Sequence, residues 1–385
     1  MEFSAMTLNM FFPDYDDPDE DEHIIALAVE QSIWIAKLGY HPWYTDHHFR
    51  GAWHSNPLQF AAHVAPLIPP DCYIGFGVIS VPLYHPLRLV ESMNLLDQLT
   101  KGKALFGVGS GWRGIEPEGL GVDPEYHGSG RAAEDTLEVM QRLWAFCNGD
   151  PEYAFEVGSN RGTIKRRIMP APYLKPHPII IRTASRDAGL LAAGRKGWPA
   201  FLGIFGADLL EQTRLYRQAL AAANHPPEVI ETCLRWCTHD CLSMVVAKTD
   251  EQALEFEKQA QAEQMSIRGR FIKRFGSLFG PVMKPQPGQS VPAAFGSGGD
   301  MKDSIAGSPD TIAKKIQQLA DGGINHVLLR FIGEWAGETR HISENSMQLF
   351  ADEVMPRFKD IRPKRGSLAS DLDPGGTGLV FEPSA

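Results

Sequence analysis

The feature that most constrains this chain is a sustained exchange of short apolar runs with longer amphipathic stretches. Eight runs rich in Val, Ile and Phe, at 6–12, 41–46, 73–81, 104–109, 178–183, 200–204, 239–247 and 326–331, have the length and composition of buried strands. Helical patterns occupy 20–38, 57–68, 86–101, 131–147, 186–196, 208–223 and 250–264, and a pair at 308–321 and 340–358 flanks the last run. Leu89, Val90, Met93, Leu96 and Leu99 recur at helical spacing after Pro86, and Gly102 ends that stretch. Ser308-Pro309-Asp310 is a start signal, a capping residue followed by Pro and an acid in the first turn. Continuous apolar strands alternating with helices imply a parallel sheet covered on its outer face. Eight such units predict an α/β fold closed as a (β/α)8 TIM barrel, with an open doubly wound sheet as the alternative.

Two segments break the alternation. Residues 265–303 carry Gly280, Pro281, Pro285, Pro287, Gly288, Pro292 and the run Gly296-Ser297-Gly298-Gly299, which predicts a long irregular insertion, a lid, before the last βα unit. Residues 361–385 are rich in Gly, Pro, Ser and Asp and predict a flexible tail behind a barrel spanning 1–360. With 43% hydrophobic residues the chain has material for a large core, and a net charge of −10 without basic clusters argues against a nucleic-acid surface. No apolar run approaches the ~18 residues that cross a bilayer. Five cysteines and no leader-like start predict a cytoplasmic protein with reduced thiols, free of membrane.

The densest ionisable cluster is Tyr44-Thr45-Asp46-His47-His48-Phe49, at the predicted C-terminal end of the second strand. That end of a parallel barrel is its active-site face. Neighbouring histidines on a strand point to opposite faces, so His47 and His48 do not readily share an ion, and no metal is expected. His47 is read as the catalytic acid or base, with Asp46 as the group that orients it; a packed histidine is the alternative. Cys233, Cys237 and Cys241 lack close Cys-x-x-Cys pairing and read as structural. The run Phe106-Gly107-Val108-Gly109-Ser110-Gly111-Trp112-Arg113 is not a dinucleotide turn, because no helix starts immediately after it. It is either a close backbone approach to a flat or anionic group or a tight connection. Thr183-Ala184-Ser185, before a helix at Arg186, reads equally as an anion site and as an ordinary cap.

Taken in order, Asp46-His47-His48-Phe49, the block from His85 to Gly111, Gly128 to Met140, Thr183-Ala184-Ser185 and Gly307 to Leu329 resemble the bacterial luciferase-like flavin-dependent monooxygenases. The resemblance covers roughly residues 6–358 and implies a barrel that holds reduced FMN at the C-terminal ends of its strands. It implies that His47 assists the oxygenated flavin, that Arg131 holds the flavin phosphate, and that Thr183, Ala184 and Ser185 form the phosphate segment. Gly77-Val78 falls where that family has a cis peptide beneath the flavin ring. Gly109 and Ser110 lie in the glycine loop, where Ser110 replaces the family's arginine; an acidic residue beside the phosphate is replaced by Arg182, and Arg113 or Arg186 would supply the missing charge.

What the resemblance implies for function is a two-component monooxygenase. A separate flavin reductase supplies reduced FMN, O2 adds at flavin C4a, and the resulting peroxyflavin oxygenates a small organic substrate, with Trp43, Tyr44, Trp53 and Phe60 as candidate walls. It also implies a homodimer. The alternatives are hydride transfer by the deazaflavin coenzyme, which some relatives with Gly-Ser-Gly-Trp loops use, and a non-catalytic flavin-binding protein.

Overall fold

Eight parallel strands join edge to edge into a ring. They are β1 (Glu2–Met6), β2 (His41–Tyr44), β3 (Ile74–Ser80), β4 (Ala104–Gly109), β5 (Ile179–Arg182), β6 (Phe201–Leu202), β7 (Thr238–Val246) and β8 (His326–Phe331). Neighbours pair in sequence order, and β8 returns to β1 through Glu2↔His326 to Ala5↔Leu329. The β5–β6 join is one bridge, Arg182↔Ala200, with Arg182 N donating to Pro199 O at 2.8 Å. The computed structural model describes residues 1–7, 19–48, 54–111, 115–183, 187–202, 209–275, 304–363 and 381–382.

The two-residue period of each strand sorts side chains between two compartments. Phe3, Ala5, Val327, Leu329 and Phe331 face outward into the main core against the helices. Trp43, Leu105, Ile181, Phe201, Trp236 and Leu328 fill the interior, each side chain of this size stabilising by roughly 1.5–3 kcal/mol on burial. The outer layer is α1 (Asp19–Lys37), α2 (Pro57–Val64), α3 (Pro86–Thr100), α4 (Arg131–Ala145), α5 (Asp187–Lys196), α6 (Leu209–Ala222), α7 (Pro227–Trp236), α8 (Asp250–Phe275), α9 (Pro309–Asp321) and α10 (Arg340–Leu349).

The predicted barrel is the observed one, and β4 and β8 fall on their expected bounds. β1 begins at Glu2 rather than Met6, because Phe3 and Ala5 supply its outward face. Sequence periodicity did not resolve α7, the strand Ile305–Gly307 beside β7, or the hairpin Tyr153–Val157 with Asn160–Ile164. The hairpin lies half in water, and its apolar positions are too few to stand out. α8 runs to Phe275, eleven residues into the stretch expected to be irregular, since 265–275 lacks proline and one glycine costs a helix only about 1 kcal/mol. The rest of that expected lid, 276–303, lies outside the described residues. In the tail expected to hang free, Arg362–Pro363 pairs antiparallel with Phe381–Glu382. Closing so long a loop costs little more entropy than closing a short one.

α8 is pinned to the loop that follows β8. The Glu263 carboxylate accepts from Glu338 N at 2.8 Å, from Thr339 N at 2.9 Å and from the Thr339 hydroxyl. Glu334, in the same loop, is 5% exposed; burial pushes its carboxyl up to about 7, against the opposing pull of Arg330 and a hydrogen bond with Gln264. The folded chain therefore holds this proton more tightly than the unfolded one. The corresponding stability is complete below about pH 4.5 and is lost as pH rises through about 7. Glu334→Gln, which keeps the neutral shape, should gain on the native chain by up to about 3 kcal/mol between pH 5 and pH 8 in denaturant titrations. Two parallel stability curves would contradict this.

Candidate active site

Beyond Tyr44 the chain leaves β2 and crosses the C-terminal mouth of the barrel. Asp46 forms a parallel bridge with His54, and His47 N donates to His54 O at 3.1 Å, which fixes the backbone of the histidine pair. His47 is buried, and its Nδ1 lies 3.1 Å from Glu116 Oε1. Glu116 is 1% exposed and comes from a five-residue helix, Ile115–Gly119, after β4. The same oxygen accepts from His48 N at 2.6 Å, so one buried carboxylate holds both the ring of one histidine and the backbone of the next.

Asp46 has other work than the orientation of His47 expected of it. Its Oδ2 accepts from Ser80 N at 3.0 Å and its Oδ1 from the Tyr84 hydroxyl at 2.8 Å. Burial and the Asp46 charge push the Tyr84 phenol far up, so it stays a donor. Asp46 Oδ1 also lies 3.3 Å from His48 Nε2, near enough for charge attraction though outside hydrogen-bond alignment. Burial by itself would lower His48, but the Asp46 and Glu116 carboxylates outweigh it and hold that imidazole above its ordinary value. The orienting acid missed in the sequence is thus Glu116. It lies 69 residues from His47 and has no fixed spacing to it, so only the family alignment of the loop after β4 could have pointed to it.

A flat heterocycle has a place at the same mouth. The Gly77–Val78 peptide is cis, and the pairing of β3 with β4 shifts register across it. A Cβ on Gly109 would stand 2.4 Å from Thr183 Oγ1 and 2.9 Å from Val78 Cγ2, so only glycine lets the side chains at the ends of β3 and β5 pack this closely over β4. Thr183 donates to Val108 O through both its backbone N, at 3.0 Å, and its hydroxyl, at 2.9 Å. Ser110, half-buried, follows Gly109 directly. Trp43 Nε1 would meet a Cβ on Gly77 at 2.2 Å; it is fully buried and has no hydrogen-bond partner among the described residues. A buried N–H left so costs about 1–3 kcal/mol unless a ligand or water satisfies it. These features fit a flavin ring.

The phosphate end is less complete. Arg131 opens α4 and is exposed; one turn on, Glu134 pairs with Arg182 at 2.5 Å, which sets the first turn of α4 against the end of β5 beside Thr183. Arg182 is therefore neutralised by Glu134 and is not a spare charge for a phosphate. Ala184, Ser185, Arg113 and Arg186 lie outside the described residues. Of the expected aromatic walls, Trp43 is interior, whereas Tyr44 and Phe60 pack on each other at 5.0 Å in the outer core, as strand alternation demands. Trp53 is outside the described residues. The three cysteines part company: Cys233 is in α7, Cys237 caps its end and Cys241 sits in β7. Burial pushes the first two thiols up to about 12, which suits a structural role.

Comparison with known proteins accords with this geometry. The chain is 27% identical to a 4-hydroxyprotoasukamycin monooxygenase of Streptomyces nodosus subsp. asukaensis, over 86% of this chain and 86% of that one. It is 24% identical to a limonene 1,2-monooxygenase of Rhodococcus erythropolis, over 94% of this chain and 89% of that one. In fold it superposes on the monooxygenase RslO1 from Streptomyces bottropensis with a TM-score of 0.67 at 19% identity, covering 93% of this chain and all (100%) of that one. The oxygenating constituent of 3,6-diketocamphane monooxygenase from Pseudomonas putida, in complex with FMN, gives 0.66 at 17% identity, covering 93% and 99%. An F420-dependent secondary alcohol dehydrogenase gives 0.61 at 15% identity, covering 92% and 98%. The profile of the luciferase-like monooxygenases matches residues 1–326, and the chain belongs to that family.

Proposed function

We propose that this protein is the oxygenating component of a two-component flavin-dependent monooxygenase, fed with reduced FMN by a separate flavin reductase and acting on a small organic substrate. The observation that carries this reading is the buried His47–Glu116 pair, at the same barrel end as the Gly77–Val78 peptide and the close Gly109–Thr183 approach. When bound, reduced FMN supplies the two electrons with which O2 is divided between product and water. Arg131 would hold its phosphate, and Gly77, Val78, Gly109 and Ser110 would border its ring; Thr183, whose N–H and hydroxyl both go to Val108 O, would shape the site beside Gly109 and not donate to the phosphate. With Nδ1–H donated to Glu116, His47 would use Nε2 for proton transfer with the substrate. The Glu116 carboxylate then stabilises the imidazolium in a site from which burial excludes water.

A second reading, hydride exchange through a deazaflavin coenzyme, is favoured by Ser110 in place of an arginine and by the fold-level likeness to the F420-dependent dehydrogenase. Oxygen consumption separates the two. Anaerobic titration with reduced FMN, followed by rapid mixing with oxygenated buffer, should give a flavin spectrum that lingers apart from both reduced and oxidised FMN. Immediate oxidation, or no binding, would transfer the reading to hydride exchange. In the same assay His47→Ala should keep the flavin affinity but lower substrate oxygenated per O2 consumed by roughly 10²-fold, across a screen of aldehydes, ketones and aromatics. Unchanged coupling would remove His47 from the chemistry.

Arg131→Ala should weaken FMN binding by ~1.5–3 kcal/mol, the worth of a charged hydrogen bond to phosphate. An unaltered dissociation constant would place the phosphate elsewhere. We further propose a homodimer joined through α3, where Leu95 and Leu99, 51% and 57% exposed, form an apolar stripe one turn apart. Sedimentation of Leu95→Glu/Leu99→Glu should show a monomer where the native chain shows a dimer; equal masses would discard this face.

A further inference from the structure

The mouth of the barrel holds a cation that neither the flavin cradle nor the histidine pair uses. His326, Leu328 and Arg330 share the inner face of β8. His326 lies between Ser4 and Thr238 and Leu328 packs in the interior cluster, whereas Val327, Leu329 and Phe331 face the helices. The two-residue period makes Arg330 the uppermost of the three, in register with Ser243 of β7 and one step from the C-terminal end of its strand. It is half-buried, and among the described residues no hydrogen bond or close ion pair is made by it, though its charge reaches Glu334.

The acid that feels its charge is Glu334, from the loop beyond β8, whose buried carboxyl is raised to about 7 and so carries only part of a charge near neutral pH. Gln264 and Glu263 of α8 face Glu334 from the other side, and Glu263 is occupied by Glu338 N and by the N and hydroxyl of Thr339. β8 stands opposite β4 in the ring of eight, so Arg330 is across the mouth from Gly109 and the flavin cradle. In a chain of net charge −10, an inward arginine without a full counter-charge is a local attractor for anions.

We propose that Arg330 anchors a carboxylate, so that the organic substrate of this protein carries an acidic group held across the barrel mouth from the flavin. The inference rests on the monooxygenase reading for the word substrate, but the anion subsite is testable without it. The full-length chain is titrated by calorimetry with benzoate and, separately, with benzamide, its neutral counterpart of equal shape. Benzoate should bind roughly 10-fold or more tighter, Arg330→Gln should abolish that preference while leaving benzamide unchanged, and Arg330→Lys should keep part of it. Equal binding of the two probes by the native chain overturns the proposal without recourse to any variant, as does no benzoate binding up to its solubility limit. A preference that survives in Arg330→Gln also overturns it. Oxidised FMN titrated against Arg330→Gln should bind as it does to the native chain; a loss there, with benzoate unaffected, would assign the arginine to the flavin. Preference for benzoate in a native chain that binds no FMN would sink the monooxygenase reading and leave the subsite standing.

Discussion

One indole sets the terms on which this barrel can close. Trp43 is fully buried inside the ring and lies against β3 so closely that a Cβ on Gly75 would stand 1.8 Å from its Cε3 and one on Gly77 2.2 Å from its Nε1. Overlaps of that size cannot be relieved by a rotamer change in a packed interior. β4 yields in the same way, since a Cβ on Gly107 would meet Phe76 O at 1.9 Å. Gly75 and Gly77 are therefore the other half of the tryptophan, and Gly107 lets β4 pass the Phe76 carbonyl. Together they pack the interior tightly beneath the Gly77–Val78 peptide.

Above that packed interior two buried carboxylates divide two adjacent histidines between them. Asp46, satisfied by Ser80 N and the Tyr84 hydroxyl, attracts His48, while Glu116 takes the His47 ring and the His48 backbone. The division has chemical consequences. A histidine whose Nδ1–H is committed to a carboxylate presents its other nitrogen as a base, and a neighbour held by a second acid keeps that first pair from being shared. Separate anchors also mean that neither acid must be left unpaired when one ring changes its proton count, which would be costly at this depth.

The barrel was legible because its cause is local. Each strand needs a continuous apolar run, and each helix an apolar stripe, and both leave periods in the sequence; β4 and β8 were placed to the residue for that reason. The histidine cluster was legible because it follows directly on a strand end. Glu116 was not, because the mouth is assembled from loops after different strands and their contacts obey no period. Asp46 misled for the complementary reason: nearness in sequence to His47 suggested a contact that the chain, bridging Asp46 to His54, turns toward Ser80 and Tyr84 instead. Arg330 was hidden within an apolar run, where one charged residue looks like a strand edge until the two-residue period places it inside the ring.

The closed end of the barrel shows how this fold settles buried ionisable groups when no ligand is involved. At the closed end His326 is fully buried and accounts for both ring nitrogens: Thr238 donates its hydroxyl to Trp236 O and so accepts from Nδ1, which leaves Nε2 to accept from Ser4. Burial lowers that imidazole to about 3, so it stays neutral. Burial would raise Glu2, but the hydrogen bond from His41 and the charge of Arg235 outweigh it and bring the carboxyl down to about 2. These groups find their answers within the protein, as stability favours at the end that meets no ligand. At the open end the Trp43 N–H has no partner among the described residues, and the half-buried Arg330 faces only Glu334, whose carboxyl is held where a small change of surroundings decides its charge. A buried donor such as the Trp43 N–H is left unanswered at a cost, and a ligand acceptor at this mouth would remove it.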